Sequence, residues 1–405
     1  MLLSACGAQA GAGTTRPMLT LGAVYPLAGA QGSGGRQELA GVRAALRVAE
    51  QEGLLDQRVR LLVRSVQTPE QARQAVDGLI HQDHVPVIFG TYGSTLSYAA
   101  ALEANRLHTI YWESGAVADL ITQRREYVFR TVATGMTLGD SAVNFTDQVL
   151  LPRAGLKASQ ATAVIVNVDD VYGRSVADGE QALAARLGIH VLQRIQYPAQ
   201  SYDPSVIAQE VAADHPDYLW DVSYLSDGEA IWKAIKASGV TLRAAIGTSS
   251  AFCLPQFGQQ MGQLAVGTYA ADHPSDEISP DALTPAARTL LGEAKDAYAA
   301  LGYGHQMQIV GVAGFVAGWT LFHGVLPHVQ GTVTPDRVRT VAYRINEPVG
   351  SSINGGGVRF AQPGSSDAGQ NLRAPSIVGQ WQAVDVWRTV WPMSYATAEP
   401  QGNSW

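Results

Sequence analysis

Cysteine is nearly absent, with only Cys6 and Cys253 in 405 residues. Neither a Cys-x-x-Cys nor a zinc-type spacing exists, so a disulfide framework is excluded and a single linking bridge is left open. Charge is also scarce: 16% of residues are charged and the net charge is −7. No Lys/Arg run suggests a basic face, which argues against nucleic acid as a partner. The usual catalytic phrases are missing as well. There is no Gly-x-Ser-x-Gly, no His-Glu-x-x-His and no Walker-type Gly-x-x-x-x-Gly-Lys. Gly32-Ser33-Gly34-Gly35 lacks dinucleotide spacing. Asp169 and Asp170 are neighbours on an extended chain, so their side chains point apart and suit two-carboxylate chemistry poorly. An enzyme is not expected, nor a cofactor or a metal. One long apolar run exists, 309–326, with Gly314-x-x-x-Gly318 inside it. It holds Thr320 and His323, lacks basic anchors and stops at Pro327, so a helix buried in a lobe is expected rather than a membrane span.

What is present is an ordinary globular composition, 46% apolar, in a chain long enough for two domains. Short apolar strands alternate with amphipathic helices from 18 onward. One series has strands at 19–25, 59–65, 85–89, 108–112 and 127–132, with a glycine-rich loop expected at 26–35. A second has strands at 161–168, 191–197, 218–222, 244–247 and 266–271. Repeated βα units of this length call for parallel sheets covered by helices, here two similar α/β lobes.

The segment 85–117 organises the first lobe. A buried strand breaks at Gly90 into Thr91-Tyr92-Gly93-Ser94-Thr95, a helix follows, and a second strand ends in Glu113-Ser114-Gly115. Both loops fall on the sheet edge where open α/β sheets bind ligands. Ser94 and Thr95 start the helix, so their hydroxyls and amides either hold a carboxylate or simply cap it. At the N-terminus, Leu3-Ser4-Ala5-Cys6 resembles a bacterial lipobox, whose cysteine carries lipid after cleavage. Residues 7–17 read as a flexible tether, and the chain from about 396 as a loose tail.

Several phrases, in order, resemble the type I periplasmic solute-binding proteins, in particular the branched-chain amino-acid-binding family of ABC importers. They are Gly22-Ala23-Val24-Tyr25-Pro26-Leu27-Ala28-Gly29, Gly90-x-x-x-Ser94-x-x-Ser97, Asp169-Asp170-x-Tyr172-Gly173, the segment 218–224, and Gly357-Val358-Arg359-Phe360 with Gly369-Gln370-Asn371. The similarity runs from about Thr20 to Pro392. It implies two Rossmann-like lobes joined by a three-crossover hinge that close over a small ligand. The crossovers are placed near Thr134, Gly267 and Gly350. Lobe I is then 18–133 plus 268–350, and lobe II is 134–267 plus 351–395, with 396–405 as the tail. The family's ligand positions map onto Ser94 and Thr95, Ser114 to Ala116, Tyr172, Tyr224 and the Thr248–Ser249 turn, and Tyr92 in the same loop as Ser94 is a further candidate.

The departures matter equally. The family's first-loop aromatic is replaced by Gly34, its amine-holding hydroxyl by Ala116, and its lobe II acid by Ser249. Glu113 and Asp221 are the nearest carboxylates to replace them, the alternative for Glu113 being a pair with an arginine at the hinge. The resemblance implies a monomeric, extracytoplasmic, lipid-anchored receptor that passes an amino acid or small organic acid to an ABC permease. A ligand-sensing regulator of the same fold, reporting amides, is the competing reading.

Overall fold

The computed structural model describes residues 17–402. Cys6 and nearly all of the expected tether therefore lie outside the described residues.

Lobe I is built on a five-stranded parallel sheet of order β2-β1-β3-β4-β5. Its elements are β1 (Met18–Tyr25), α1 (Gly32–Gln51), β2 (Arg58–Ser65), α2 (Pro69–His81), β3 (Val87–Gly90), α3 (Ser94–Arg106), β4 (Ile110–Glu113) and β5 (Val128–Arg130). Lobe II adds α4 (Gly135–Phe145), α5 (Leu151–Ala154), β6 (Thr162–Val168), α6 (Val171–Leu187), β7 (His190–Tyr197), α7 (Pro204–Asp214) and β8 (Tyr218–Val222). It continues with α8 (Leu225–Ser238), β9 (Ala244–Thr248), α9 (Pro255–Met261) and β10 (Tyr269–Asp272). Helices α10 (Pro285–Ala299), α11 (Ile309–Trp319) and α12 (Pro335–Ala342) precede the final hairpin, β11 (Ile377–Ala383) and β12 (Val386–Trp391). The second sheet has the order β12-β11-β10-β9-β8-β6-β7. It is parallel from β7 to β10, and antiparallel where β11 and β12 are added. Each sheet reverses its winding beside its first strand, and the loops leaving the carboxyl ends there face the other lobe.

Glycines bring the elements of lobe I unusually close. Gly32 to Gly35 form the first turn of α1, not a loop. A Cβ on Gly35 would sit 2.1 Å from the Pro26 carbonyl oxygen, and one on Gly34 2.6 Å from the Tyr92 ring. The apolar run is α11, buried from Ile309 through Gly318. A Cβ on Gly314 would lie 2.0 Å from the Glu38 carbonyl oxygen, and one on Gly41 2.1 Å from that of Gly311. The Gly-x-x-x-Gly spacing thus serves a helix contact inside the lobe, where small residues let two backbones approach.

Two crossovers fall later than Gly267 and Gly350. Strand β10 pairs with β9 over Tyr269–Ala271, so the chain is still in lobe II there and leaves only after Asp272. Val358 and Phe360 belong to the lobe I core, with the Phe360 ring edge-on to Trp112 and Phe129. Asn371 donates to the carbonyls of Thr131 and Gly357, so the return to lobe II comes between Asn371 and β11. The expected boundaries failed because apolar runs show burial without showing which of two cores receives them. The residues from 396 to 402 are also not loose. Thr397 N–H donates to the Thr389 carbonyl, and the Gln401 carbonyl accepts from Tyr269 and Gln380.

Candidate ligand-binding cleft

From lobe I, the β3–α3 turn supplies Tyr92, Gly93 and Ser94. Gly93 is the N-cap residue of α3, at φ 94, and a side chain on it would strike Gln31. No side chain caps this helix. The amides of Ser94, Thr95 and Leu96 have no acceptor among the described residues, and the first helical bond runs from Ser97 N–H to the Gly93 carbonyl. Ser94 is therefore no cap. Its hydroxyl accepts from Ala118 N–H at 3.2 Å, tying the turn to the loop after β4 and leaving its proton to donate.

From lobe II, Asp170 N-caps α6 by accepting from Gly173 N–H at 2.9 Å. Its other oxygen accepts from the Tyr224 hydroxyl at 2.7 Å and, across the cleft, from the Thr95 hydroxyl at 3.1 Å. The Tyr172 hydroxyl donates to the Thr248 carbonyl at 2.7 Å, and the Tyr172 and Tyr224 rings lie 5.2 Å apart. Ser249 and Ser250 both occupy the left-handed region, at φ 37 and 38. Such strained backbone persists where surrounding contacts hold it, commonly at functional sites. The Ser175 hydroxyl donates to the Asp119 carboxylate, and Asp119 N–H to the Ser175 oxygen, adding a second bridge between the lobes. The cleft is closed.

Inside it lies a narrow cavity of about 20 Å³, lined by Tyr92, Gly93, Ser94, Gly115, Ala116, Val117, Tyr172, Tyr224, Ser249, Ser250, Leu254, Asp272, His273 and, from the start of α11, Ile309, Val310 and Ala313. It adjoins a much larger outer cleft of about 560 Å³ that includes Thr95, Asp170, Asp227 and Glu229. No lysine or arginine lines either space among the described residues. The volume a first-loop side chain would need is filled by the Tyr92 ring, so the aromatic wall comes from the next loop.

Seven of the expected residues line the cavity: Tyr92, Ser94, Gly115, Ala116, Tyr172, Tyr224 and Ser249. Thr95 lines the outer cleft. Three expected residues are behind the wall. Ser114 is buried and donates to Glu38 at 2.6 Å, with the Tyr25 hydroxyl 2.7 Å away. Glu113 turns onto its own loop, accepting from Gly115 N–H at 3.0 Å and Ala116 N–H at 2.6 Å. Burial pushes its carboxyl up to about 8, opposed by the nearby Arg130 guanidinium and those amides. Asp221 lies within β8 and accepts from the Ser223 hydroxyl, and burial pushes it too up to about 8. Neither carboxylate is among the residues that line the cavity or the outer cleft. A strand reverses side-chain direction at every residue, so a position beside a loop does not reveal its facing.

Sequence reasoning missed Asp272, His273, Leu254 and the start of α11. Asp272 accepts from His273 N–H at 2.7 Å and from the free, buried Cys253 thiol at 2.6 Å, and the Ser249 side chain also bonds to it. Burial raises the Asp272 carboxyl and lowers the His273 imidazole, with mutual attraction opposing both shifts. The phrase Tyr269-Ala270-Ala271-Asp272 carried the available signal, an apolar strand closing on an acid.

A sequence model of the periplasmic binding protein family matches residues 19–365. The chain belongs to this family. It is 27% identical over 382 residues to a Brucella abortus protein named Leu/Ile/Val-binding protein homolog 8, covering 93% of this chain and 91% of that protein. Its fold is similar to that of a leucine-binding protein from Thermotoga maritima, with a TM-score of 0.76 and 17% identity, over 92% of this chain and 97% of the other. A benzoate-bound solute-binding protein of an ABC transporter from R. palustris gives 0.74 at 16% identity, over 95% and 98%. An isoleucine-bound branched-chain amino acid binding protein from Streptococcus pneumoniae gives 0.74 at 15%, over 93% and 100%. The expected type I periplasmic binding protein fold is the one present.

Proposed function

We propose that the protein is an extracytoplasmic receptor that captures a small acid, an amino acid or a related organic acid, between its lobes and delivers it to an ABC permease. One observation carries the reading. The closed cavity is walled by both lobes, and its lobe I side presents the uncapped start of α3 with the Ser94 hydroxyl. Free amides at a helix start carry partial positive charge and favour a carboxylate. The tyrosines and the apolar start of α11 supply a body for the remainder of the ligand, the usual mixture for a small-molecule site. The isoleucine-bound and benzoate-bound relatives support an acid as the ligand class.

The protein acts by closure rather than by catalysis. A ligand that touches both lobes favours the closed form by its differential affinity. Thr95–Asp170 and Asp119–Ser175 then join the two rims that a permease would recognise. Leu3-Ser4-Ala5-Cys6 supports anchoring of a monomer by lipid on Cys6.

A thermal-shift screen over amino acids, small aromatic acids, amides and polyols tests the ligand class. Binding to the folded state raises Tm, and the acids are expected to give the largest shifts. A shift with amides or polyols alone would overturn the reading. Fractionation of cells expressing the gene with its native upstream region tests the anchor, and soluble protein with an unmodified Cys6 thiol would refute it.

A further inference from the structure

We propose that Asp272 and His273, where the chain leaves lobe II for lobe I, form a second anchor of the cavity that takes a hydrogen-donating group of the ligand, foremost an ammonium. This rests on the small-acid reading above and narrows it. The two residues are 1% and 5% exposed and line the cavity beside Gly115 and Ser249.

His273 Nε2 lies 3.4 Å from the Gly115 carbonyl oxygen. With the proton on Nε2, directed at that carbonyl, Nδ1 keeps a lone pair. That nitrogen is buried and has no partner among the described residues. An unsatisfied buried acceptor is costly unless something supplies a donor. Asp272 is held in place by the His273 amide, the Cys253 thiol and Ser249. Its carboxylate has lone pairs beyond those three bonds.

Charge points the same way. The lining of both spaces carries the acids Asp272, Asp170, Asp227 and Glu229 and no lysine or arginine. A bare monoanion would gain the α3 amides, while the charged groups of the lining are all carboxylates. A zwitterion sets its carboxylate at α3 and its cation toward Asp272, which removes that repulsion and partners a buried charge. Glu113 and Asp221 cannot do this, since both lie outside the lining. The amine anchor thus shifts to the hinge strand.

The test is calorimetry on the purified full chain with a matched set: L-leucine, 2-hydroxy-4-methylpentanoate and 4-methylpentanoate, together with 4-aminomethylbenzoate and benzoate. The ammonium-bearing member of each group is expected to bind about ten- to hundredfold tighter than the member lacking any donor, as for a hydrogen bond to a charged group. The hydroxy acid should fall between them. Asp272→Asn is expected to shrink the gap to within about threefold, and His273→Phe to abolish the advantage of the hydroxyl. Equal or tighter binding of the donor-free acids by the unaltered protein overturns the proposal while sparing the small-acid reading. So does an unchanged gap in a folded Asp272→Asn variant. Absence of binding by every acid overturns both.

Discussion

Strands β4 and β10 end alike and serve differently. Each is four buried residues closing on an acid, Ile110-Tyr111-Trp112-Glu113 in lobe I and Tyr269-Ala270-Ala271-Asp272 in lobe II, and each runs into a polar loop. Glu113 bends back onto the amides of Gly115 and Ala116, so its carboxyl shapes the loop that walls the cavity. Asp272 is gripped by a thiol, a hydroxyl and a neighbouring amide, and itself forms the wall. An acid at the carboxyl end of a parallel strand therefore marks the edge where ligands bind. The donors waiting around it decide whether it meets the ligand or holds the residues that do.

The most severe way to break this contrast is to remove Arg130. Its guanidinium donates to Gln370 at 2.6 Å and to the Ala118 carbonyl at 2.7 Å, fully buried and in the field of Glu113. Arg130→Met should cost about 3–6 kcal/mol in urea unfolding, because the buried acceptors on Gln370 and Ala118 each lose a hydrogen bond from a charged donor, worth about 1.5–3 kcal/mol apiece. A cost below about 1 kcal/mol would mean that the β4 end is not a structural network.

The pH dependence separates the two acids next. Glu113 has a folded-state value raised above the ordinary carboxyl range, to about 8. Such a group contributes stability that is present below about pH 4.5 and lost as pH rises through about 8. Glu113→Gln does not titrate, so its stability should gain on the unaltered protein between pH 5 and pH 8, by on the order of 3–4 kcal/mol. Ligand affinity should stay the same. Parallel stability curves, or a large loss of affinity, would move Glu113 into the site.

Ser94→Ala probes whether lobe I contributes to binding at its other loop. The expected loss is about 1.5–3 kcal/mol of affinity for the acid that the screen selects, alongside a fall in Tm from the Ala118 N–H that loses its acceptor, worth about 1–3 kcal/mol. Unchanged affinity would leave the α3 amides alone on that side. The smallest effect belongs to Cys253, one of three donors on Asp272. Cys253→Ala should cost about 1 kcal/mol of stability and Cys253→Ser should restore it. Identical stabilities for both variants would show that the thiol does not position Asp272.

Local pattern carried far in this chain. Seven of the expected site residues meet in one cavity, because the carboxyl ends of β3, β4, β6, β8 and β9 lie on the sheet edges that face across the cleft. Loops at those ends are legible from strand spacing alone. The facing of Glu113 and Ser114 was not, since it depends on Glu38 and Arg130, which lie on elements outside that loop, and that of Asp221 was not, since a nearby Ser223 does not reveal whether its hydroxyl turns back onto the acid.

The sequence by itself determined the alternation of strand and helix and the two sheets built mainly of parallel strands. Period and length act locally, and no distant partner is needed to express them. Tertiary structure alone decided where the chain changes lobes, and so which strand end brings Asp272 and His273 beside the start of α11. An apolar run is equally content in either core; only the competition between two finished cores assigns β10 to one and Phe360 to the other.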